Sequence, residues 1–141
     1  MTTVFLNGCF DCFHVGHLRL LQFAKSFVVD KDNDRLVVAI NSDESVRAAK
    51  GPGRPIIPEQ QRMEMLYGFG AESVIIYDEP TPIEVVKDVR PDVLVVSSQY
   101  ATTCESCRHV RSYNGRVVQA PDCGDVTTSK IVARICGEVL Q

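Results

Sequence analysis

Short runs of apolar, mostly β-branched residues alternate with amphipathic segments along the chain. The apolar runs lie at residues 3–6, 36–40, 74–77, 93–96 and 117–119. Continuous apolar runs, rather than a strict alternation of apolar and polar residues, are typical of strands buried on both faces of a parallel sheet. The pattern therefore predicts five such strands, with helices between them.

Apolar residues at helical spacing predict the helices. The first helix begins near His17, and its apolar stripe recurs every three to four residues. That stripe consists of Leu20, Leu21, Ala24, Phe27 and Val28. A second helix runs from about Glu59 to Tyr67 and follows Pro58, a residue that suits a first helical turn. The last helix follows Thr127. Its apolar positions are Ile131, Val132, Ile135, Cys136 and Val139.

A third helix is predicted over residues 82–89. Thr81-Pro82-Ile83-Glu84 has the form of a capping box with a proline just inside the helix, and Pro91 closes the segment. A weaker helical pattern covers residues 103–113.

The segment "KGPGRPIIP" at 50–58 is too rich in Gly and Pro for regular structure. Long irregular loops in compact domains are often functional, so this loop is a candidate part of a site.

Strands and helices that alternate in this way predict an α/β fold. We expect a single domain over residues 1–141, built as a Rossmann-like three-layer sandwich with a parallel sheet of about five strands. A length of 141 residues suits one domain. Apolar residues make up 45% and charged residues 23% of the chain, which is ordinary for a globular protein and argues against disorder.

The charge balance and the hydropathy pattern exclude some classes of function. A net charge of −3 and a pI near 5.6 argue against a general nucleic-acid binder, which needs a basic surface to neutralise phosphates. The longest apolar runs are too short to cross a bilayer, and the N-terminus lacks a basic segment leading into an apolar one. We therefore expect a soluble, cytoplasmic protein without nucleic-acid or membrane partners.

The chain contains six cysteines, which without an export signal are expected to be reduced thiols. Cys9 and Cys12, and again Cys104 and Cys107, have the spacing of metal ligands. The first pair lies inside a different motif, and about 90 residues separate the pairs. Free thiols and no protein-held metal are therefore the preferred prediction. An interaction domain with zinc on Cys104, Cys107, His109 and Cys123 is the alternative.

The stretch "NGCFDCFHVGH" from Asn7 to His17 lies where the first strand gives way to the first helix. Ligands of doubly wound sheets bind at such turns, and the N-terminus of a helix attracts anions. Gly8 and Gly16 allow close approach to the backbone, and His14 and His17 can both point toward an anion. The segment matches neither a Walker loop nor a G-x-G-x-x-G turn. It predicts a different kind of phosphate site.

"GCFDCFHVGH" resembles the G-[TC]-F-D-x-x-H-x-G-H signature of the cytidylyltransferase-like nucleotidyltransferases. "KGPGRPIIPEQQRMEML", "TPIEVVKDVRPDVLV" and "DVTTSKI" resemble later segments of the family in the same order, so the likeness covers nearly the whole chain. The resemblance implies an enzyme that joins a nucleoside triphosphate to a phosphorylated small molecule and releases pyrophosphate. It also implies a homodimer.

Within the family, the motifs are most similar to those of the adenylyltransferases that act on heptose 1-phosphate. These share a Lys-Gly-x-x-Arg-Pro segment and a Pro-x-x-Gln-Arg-Met segment. ATP is therefore the favoured nucleotide, and glycerol-3-phosphate cytidylyltransferase, with CTP, is the alternative. The chain differs from both groups after the fourth strand, where Ser97-Ser98-Gln99-Tyr100 replaces their Lys- or Asp-containing segment. A nucleotide-binding module without turnover is a third possibility.

The resemblance also implies the roles of individual residues. It makes His14, His17 and Lys50 the catalytic residues. The residues expected to bind the nucleotide are Gly8, Cys9, Phe10, Asp11, Gly16, Arg54, Arg62, Thr127, Thr128 and Ser129. Asp11 orders the turn or approaches a magnesium ion. That Mg²⁺ ion is expected to be held mainly by the phosphates of the triphosphate.

Overall fold

The computed structural model describes residues 1–140, with side chains to residue 137. The strands are β1 (Thr3–Gly8), β2 (Arg35–Asn41), β3 (Ser73–Tyr77), β4 (Val93–Val96) and β5 (Arg116–Gln119). The helices are α1 (Val15–Lys25), α2 (Asp43–Lys50), α3 (Glu59–Gly68), α4 (Ile83–Val89), α5 (Glu105–Ser112) and α6 (Thr128–Leu140). Gln141 and the side chain of Val139, predicted on the last helix, lie outside the described residues.

The five strands form one parallel sheet in the order β3-β2-β1-β4-β5. The central strand β1 pairs with both β2 and β4, so that Val4 lies opposite Leu36 on one side and Val93 on the other. Because strand order reverses between β1 and β4, a crevice opens at the carboxyl ends of these two strands. The α/β fold class and the five parallel strands predicted from the apolar runs are confirmed.

Helices cover both faces of the sheet. On one face, Val4, Leu6 and Val38 pack with Leu21 and Ala24 of α1 and with Leu66 of α3. On the other, Phe5, Val37 and Leu94 pack with Val86 of α4 and Val110 of α5. Successive strand residues alternate between these two clusters, as the period of a strand requires. The result is the predicted three-layer sandwich.

Several helix boundaries differ from the prediction. α1 ends at Lys25, so that Phe27 and Val28 lie after the helix and pack against the core from the following loop. α2 was not predicted; it is short, and only Val46 is buried. The weak pattern at 103–113 is confirmed as α5. None of the helices in the described part of the chain combines the length and apolarity needed to cross a bilayer.

The capping box predicted at residues 81–84 is wrong. Pro82 is the N-cap of α4, and no side chain makes a cap hydrogen bond there. The chain thus enters the helix one residue later than the motif requires, which removes Thr81 from the capping position.

Arg62 is a fully buried cation at the start of α3, with 1% of its surface exposed. Its guanidinium donates to the carbonyl oxygens of Ile57, Cys9 and Asn41 at 2.8–2.9 Å and to a carboxylate oxygen of Asp43 at 2.8 Å. One planar group therefore joins the ends of β1 and β2 to α2 and to the loop before α3. The predicted phosphate contact of Arg62 is replaced by a structural role, because its head group is already held by protein acceptors.

We expect Arg62→Met to lower the free energy of unfolding by about 3 kcal/mol or more. The substitution leaves the carboxylate of Asp43 and three carbonyl oxygens without their hydrogen-bond donor. Denaturant unfolding at equilibrium measures the change. Arg47→Met, on the exposed surface of α2, is the matched control and should change stability by less than about 0.5 kcal/mol. Equal effects of the two substitutions would contradict the structural role of Arg62.

Candidate active site

A cavity of about 880 Å³ lies at the carboxyl ends of the strands. All of the residues predicted for the site line it except Arg54 and Arg62. The β1–α1 turn, the end of α2, the segment after β4 and the start of α6 form its walls. A smaller cavity of about 370 Å³ lies near the amino ends of β1, β4 and β5 and contains none of the predicted residues.

His14 and His17 cap the helix that they begin. His14 is the N-cap of α1, and its Nδ1 accepts a hydrogen bond of 3.1 Å from the backbone N–H of Gly16. The Nδ1 of His17 accepts one of 3.3 Å from the backbone N–H of His14. This is the reciprocal arrangement of a capping box, with imidazoles in place of the usual Ser and Glu. Because both Nδ1 atoms are acceptors, each neutral ring carries its proton on Nε2.

Gly16, the second of the two residues between the histidines, has to be glycine. A Cβ atom on Gly16 would lie 2.9 Å from Cε1 and 3.0 Å from Nδ1 of His14, closer than side-chain carbons approach. The His14 and His17 rings stack with their centroids 3.7 Å apart. The H-x-G-H spacing therefore follows from helix capping: the second histidine lies three positions after the first, and the glycine leaves room for the first ring.

Both imidazoles are neutral at physiological pH. Burial, together with the neighbouring His14 and Lys50, lowers the pKa of His17 to about 4 against the opposing effect of Asp11. Burial also lowers the pKa of His14 below its ordinary value of 6.5. The histidines thus offer the cavity two neutral N–H donors rather than two cations. Such donors stabilise charge that develops on a phosphate oxygen.

Asp11 is 3% exposed and holds the Gly- and Pro-rich loop. Its two carboxylate oxygens accept hydrogen bonds of 2.8 Å from the backbone N–H groups of Ile56 and Ile57. Its carbonyl oxygen accepts a 2.6 Å bond from the hydroxyl of Thr128. Of the two roles expected for Asp11, the structure supports ordering of the turn, because its carboxylate accepts two backbone N–H groups of the loop and its carbonyl accepts the Thr128 hydroxyl.

The amino end of α6 faces the same cavity. Thr127 lies just before the helix, and its hydroxyl accepts a bond of 3.1 Å from the backbone N–H of Lys130. Thr128 is buried, whereas Ser129 is exposed. The first N–H groups of α1 and α6, which have no partner within their helices, therefore converge on one space. Two helix dipoles favour an anion there.

The predicted cations lie at different places. Lys50 ends α2, is exposed and lines the cavity. Arg54 is half-buried in the loop. Burial and Asp11 raise the pKa of Cys12, and the charge of Arg54 offsets part of this rise. Arg54 does not line the cavity. Lys50 is thus the predicted cation that this structure places at the site.

The segment after β4 forms the opposite wall. Gln119 of β5 donates hydrogen bonds to the carbonyl oxygens of Ser98 at 3.2 Å and of Tyr100 at 2.9 Å. This side-chain amide holds the Ser97–Tyr100 segment in place. This wall therefore presents backbone and neutral side chains to the cavity.

Sequence reasoning missed a neutral polar cluster at the carboxyl ends of β1, β2 and β3. The Nδ2 of Asn7 donates to the Tyr77 hydroxyl at 3.4 Å, and the Nδ2 of Asn41 donates to the Ser45 hydroxyl at 3.2 Å. All four side chains line the cavity. The available signal was the position of Asn7, Asn41 and Tyr77 at the ends of apolar runs, since strand ends of parallel sheets meet at one edge.

The zinc alternative finds no support. Within the residues that the structure describes, no group of three or more His, Cys, Asp or Glu side chains is arranged to hold a metal. The sulfurs of Cys104 and Cys107 lie 2.7 Å apart, with Cys104 as the N-cap of α5. His109 does not line the cavity.

Asp11→Asn should lower the free energy of unfolding by about 1–3 kcal/mol, because a carboxamide keeps one acceptor and points a donor at a backbone N–H. Hydrogen exchange of the Ile56 and Ile57 amides should accelerate. Asp88→Asn, on the exposed face of α4, removes the same charge and serves as the control. Unchanged exchange at both isoleucines would show that Asp11 does not hold the loop.

The free protein should lose stability as pH falls from 6.5 toward 4. In this window His17 is protonated in the unfolded chain, where its pKa has the ordinary value of 6.5. In the folded chain it stays neutral, because its pKa there is about 4. The unfolded state therefore takes up more protons and is favoured by acid. Denaturation midpoints at pH 7 and pH 5 measure this loss.

His17→Gln should reduce the acid loss, since glutamine keeps the cap acceptor but does not titrate. His109→Gln is the control and should leave the difference between the two midpoints unchanged. If His17→Gln loses as much stability between pH 7 and pH 5 as the wild type does, the titrating group is a different residue.

Comparison with known proteins agrees with this geometry. A model of the cytidylyltransferase-like family matches residues 5–134. The bifunctional protein HldE of Koribacter versatilis is 44% identical over 133 residues, which are 93% of this chain and 26% of HldE. HldE of Alcanivorax borkumensis is 42% identical over 134 residues, covering 94% of this chain and 27% of that protein. The chain thus spans about a quarter of the length of these relatives.

Among solved structures, the lipopolysaccharide core biosynthesis protein from Thermoplasma volcanium GSS1 superposes with a TM-score of 0.68 at 21% identity. The superposition covers 86% of this chain and 98% of that one, and at this identity it shows the shared fold. The family match covers most of the chain and includes the histidine pair, the Asp11 turn and the start of α6. The chain therefore belongs to the cytidylyltransferase-like family of nucleotidyltransferases.

Proposed function

We propose that this domain transfers a nucleoside monophosphate from a nucleoside triphosphate, ATP by preference, to a sugar phosphate such as heptose 1-phosphate. Pyrophosphate is the second product. The observation that carries the proposal is the convergence of two neutral imidazole donors and two helix N-termini on one cavity. That arrangement favours the binding of a polyanion.

The proposed reaction is an in-line displacement. An oxygen of the acceptor phosphate bonds to the α-phosphorus, and the bond from that phosphorus to the oxygen bridging to the β-phosphate breaks. Because the attacking oxygen is already anionic, no general base is required, and alignment and charge stabilisation carry the catalysis. The Nε2–H groups of His14 and His17 donate to the phosphate oxygens on which charge develops, and Lys50 neutralises the departing pyrophosphate.

The magnesium ion enters as part of the substrate, bound to the phosphates of the triphosphate and to water. In this proposal Asp11 orders the loop from Lys50 to Pro58, since its carboxylate accepts the backbone N–H groups of Ile56 and Ile57. The same bonds keep this loop beside the cavity, where it would cover the phosphates.

The choice of ATP and of a heptose phosphate is supported by the resemblance of "KGPGRPIIPEQQRMEML" to the heptose 1-phosphate enzymes. The Ser97–Tyr100 segment favours a second candidate, a module that binds nucleotide without turnover, because it lacks the charged residue of related enzymes. That candidate would be favoured if calorimetry shows triphosphate binding while no acceptor supports pyrophosphate release. A glycerol 3-phosphate cytidylyltransferase would show turnover with CTP in the same assay.

We also propose that the domain acts as a cytoplasmic homodimer. Met65 and Phe69 lie four residues apart at the carboxyl end of α3 and are 42% and 45% exposed, and Ile56 in the preceding loop is 47% exposed. Apolar side chains of this size are suited to a contact with a second copy.

His14→Asn should lower kcat/KM by at least about 100-fold, because it removes the Nε2–H donor while the asparagine still caps α1. Pyrophosphate release across a matrix of triphosphates and phosphorylated acceptors measures turnover, and thermal unfolding checks the fold. His109→Asn is the control and should retain wild-type turnover. Full activity of His14→Asn would remove the histidine pair from the mechanism.

A further inference from the structure

A C-x-x-C segment lies at the start of α5 and takes no part in the proposed reaction. Cys104 is the N-cap of the helix, and Cys107 lies three positions later, in the first turn. Both thiols are free in this structure, and their sulfurs lie 2.7 Å apart. The sulfurs of a disulfide lie about 2 Å apart. A small movement of one side chain therefore brings the two sulfurs to bonding distance.

The two thiols differ in their access to solvent. Cys104 is exposed and lines the cavity. Cys107 has no exposed surface and packs in the apolar cluster with Phe5, Val86 and Val110. Burial raises the pKa of the Cys107 thiol, and its hydrogen bond with Cys104 raises this pKa further, so that Cys107 keeps its proton. A molecule dissolved in water can therefore reach the sulfur of Cys104 and not that of Cys107.

The start of α5 has a weak cap when both thiols are reduced. The backbone N–H of Cys107 donates to Sγ of Cys104 at 3.3 Å, and this bond is the side-chain cap of the helix. A thiol sulfur is a weak acceptor, whereas the preferred caps offer an oxygen. A disulfide would join the same two residues covalently. Oxidation is therefore expected to close the first turn of α5 more firmly than the sulfur cap does.

The chain enters α5 from the wall of the cavity. The guanidinium of Arg108 donates to the carbonyl oxygen of Thr103 at 3.0 Å, and that of Arg111 donates to the carbonyl oxygen of Thr102. These bonds hold the backbone before the helix without using either sulfur. Because Cys104 itself lines the cavity, a change at the sulfur pair is also a change in the wall of the candidate active site.

We propose that Cys104 and Cys107 form a reversible disulfide when the protein meets a low-molecular-weight disulfide such as oxidised glutathione, and that this bond closes the first turn of α5. Cys104 loses its proton and attacks one sulfur of the external disulfide, whose S–S bond breaks and releases one thiolate. Cys107 then loses its proton and attacks Sγ of Cys104, which releases the second thiolate. The pair gives up two electrons and two protons, and the external disulfide gains them as two thiols.

Incubation with oxidised glutathione, followed by intact-mass and peptide-mass measurement, follows this reaction. Wild type should form the Cys104–Cys107 disulfide, seen as a mass lower by two hydrogen atoms. Because the second step is intramolecular, glutathione bound to Cys104 should amount to less than about one tenth of that product. Dithiothreitol should restore both thiols. Glutathione that stays on Cys104 of the wild type would overturn the proposal.

Substitution of each cysteine separates the two roles. Cys107→Ala should stop the reaction after the first step and keep glutathione on Cys104. Cys104→Ser retains a capping oxygen and should leave the buried Cys107 unmodified. Cys136→Ser removes an exposed cysteine of α6 and is the matched control, which should form the disulfide as the wild type does. Thermal unfolding checks each fold, and Cys104→Ser keeps the test decisive if Cys107→Ala does not fold. Modification of Cys107 in Cys104→Ser would contradict its role as the second thiol.

Hydrogen exchange of the reduced and oxidised wild type tests the effect on the helix. The amides of Ser106, Cys107 and Arg108 should exchange about ten-fold more slowly after oxidation, because a covalent bond replaces the sulfur cap. The amides of α2, which Ser42 caps with its hydroxyl, are the control and should exchange equally in both states. Equal exchange at the start of α5 would overturn the closure of its first turn. Neither measurement uses turnover, so the outcome is independent of the proposed transferase activity.

Discussion

The carboxylate of Asp11 is the contact on which the arrangement of the site depends. Its two oxygens hold the backbone of Ile56 and Ile57, and its carbonyl holds the hydroxyl of Thr128. One residue of the β1–α1 turn thus binds the loop after α2 and the start of α6, which are far apart in sequence. A charged acceptor with two backbone donors gives short, directional bonds, so the three walls of the cavity have one defined relative position.

The histidine pair shows how one residue type serves structure and chemistry together. An imidazole has two nitrogens with different roles, and here Nδ1 of each ring completes the first turn of α1 while Nε2 keeps the proton. A serine or glutamate would cap the helix equally well but would not leave a neutral N–H donor beside it. Burial strengthens this division, because it lowers the pKa of both rings and so keeps them uncharged.

Much of this architecture could be predicted from the sequence, and the exceptions have physical causes. The strands are marked by apolar runs because both faces of the sheet are buried. α2 was missed because a polar helix that buries only Val46 has almost no apolar stripe. The sequence predicted a phosphate contact for Arg62. Three carbonyls and a carboxylate from segments far apart in sequence bury this cation, and such burial leaves no signal in the residues around Arg62. Asn41 and Tyr77 acquire meaning only when strand order brings them beside Asn7.

The cavity concentrates positive potential in one part of its wall. Two helix N-termini and Lys50 provide this potential in a chain whose net charge is −3. The neutral side chains of Asn7, Asn41 and Tyr77 lie at the strand ends, outside that part. An anion is therefore attracted to the starts of α1 and α6 rather than along the edge of the sheet, because only there do helix dipoles and a cation act together.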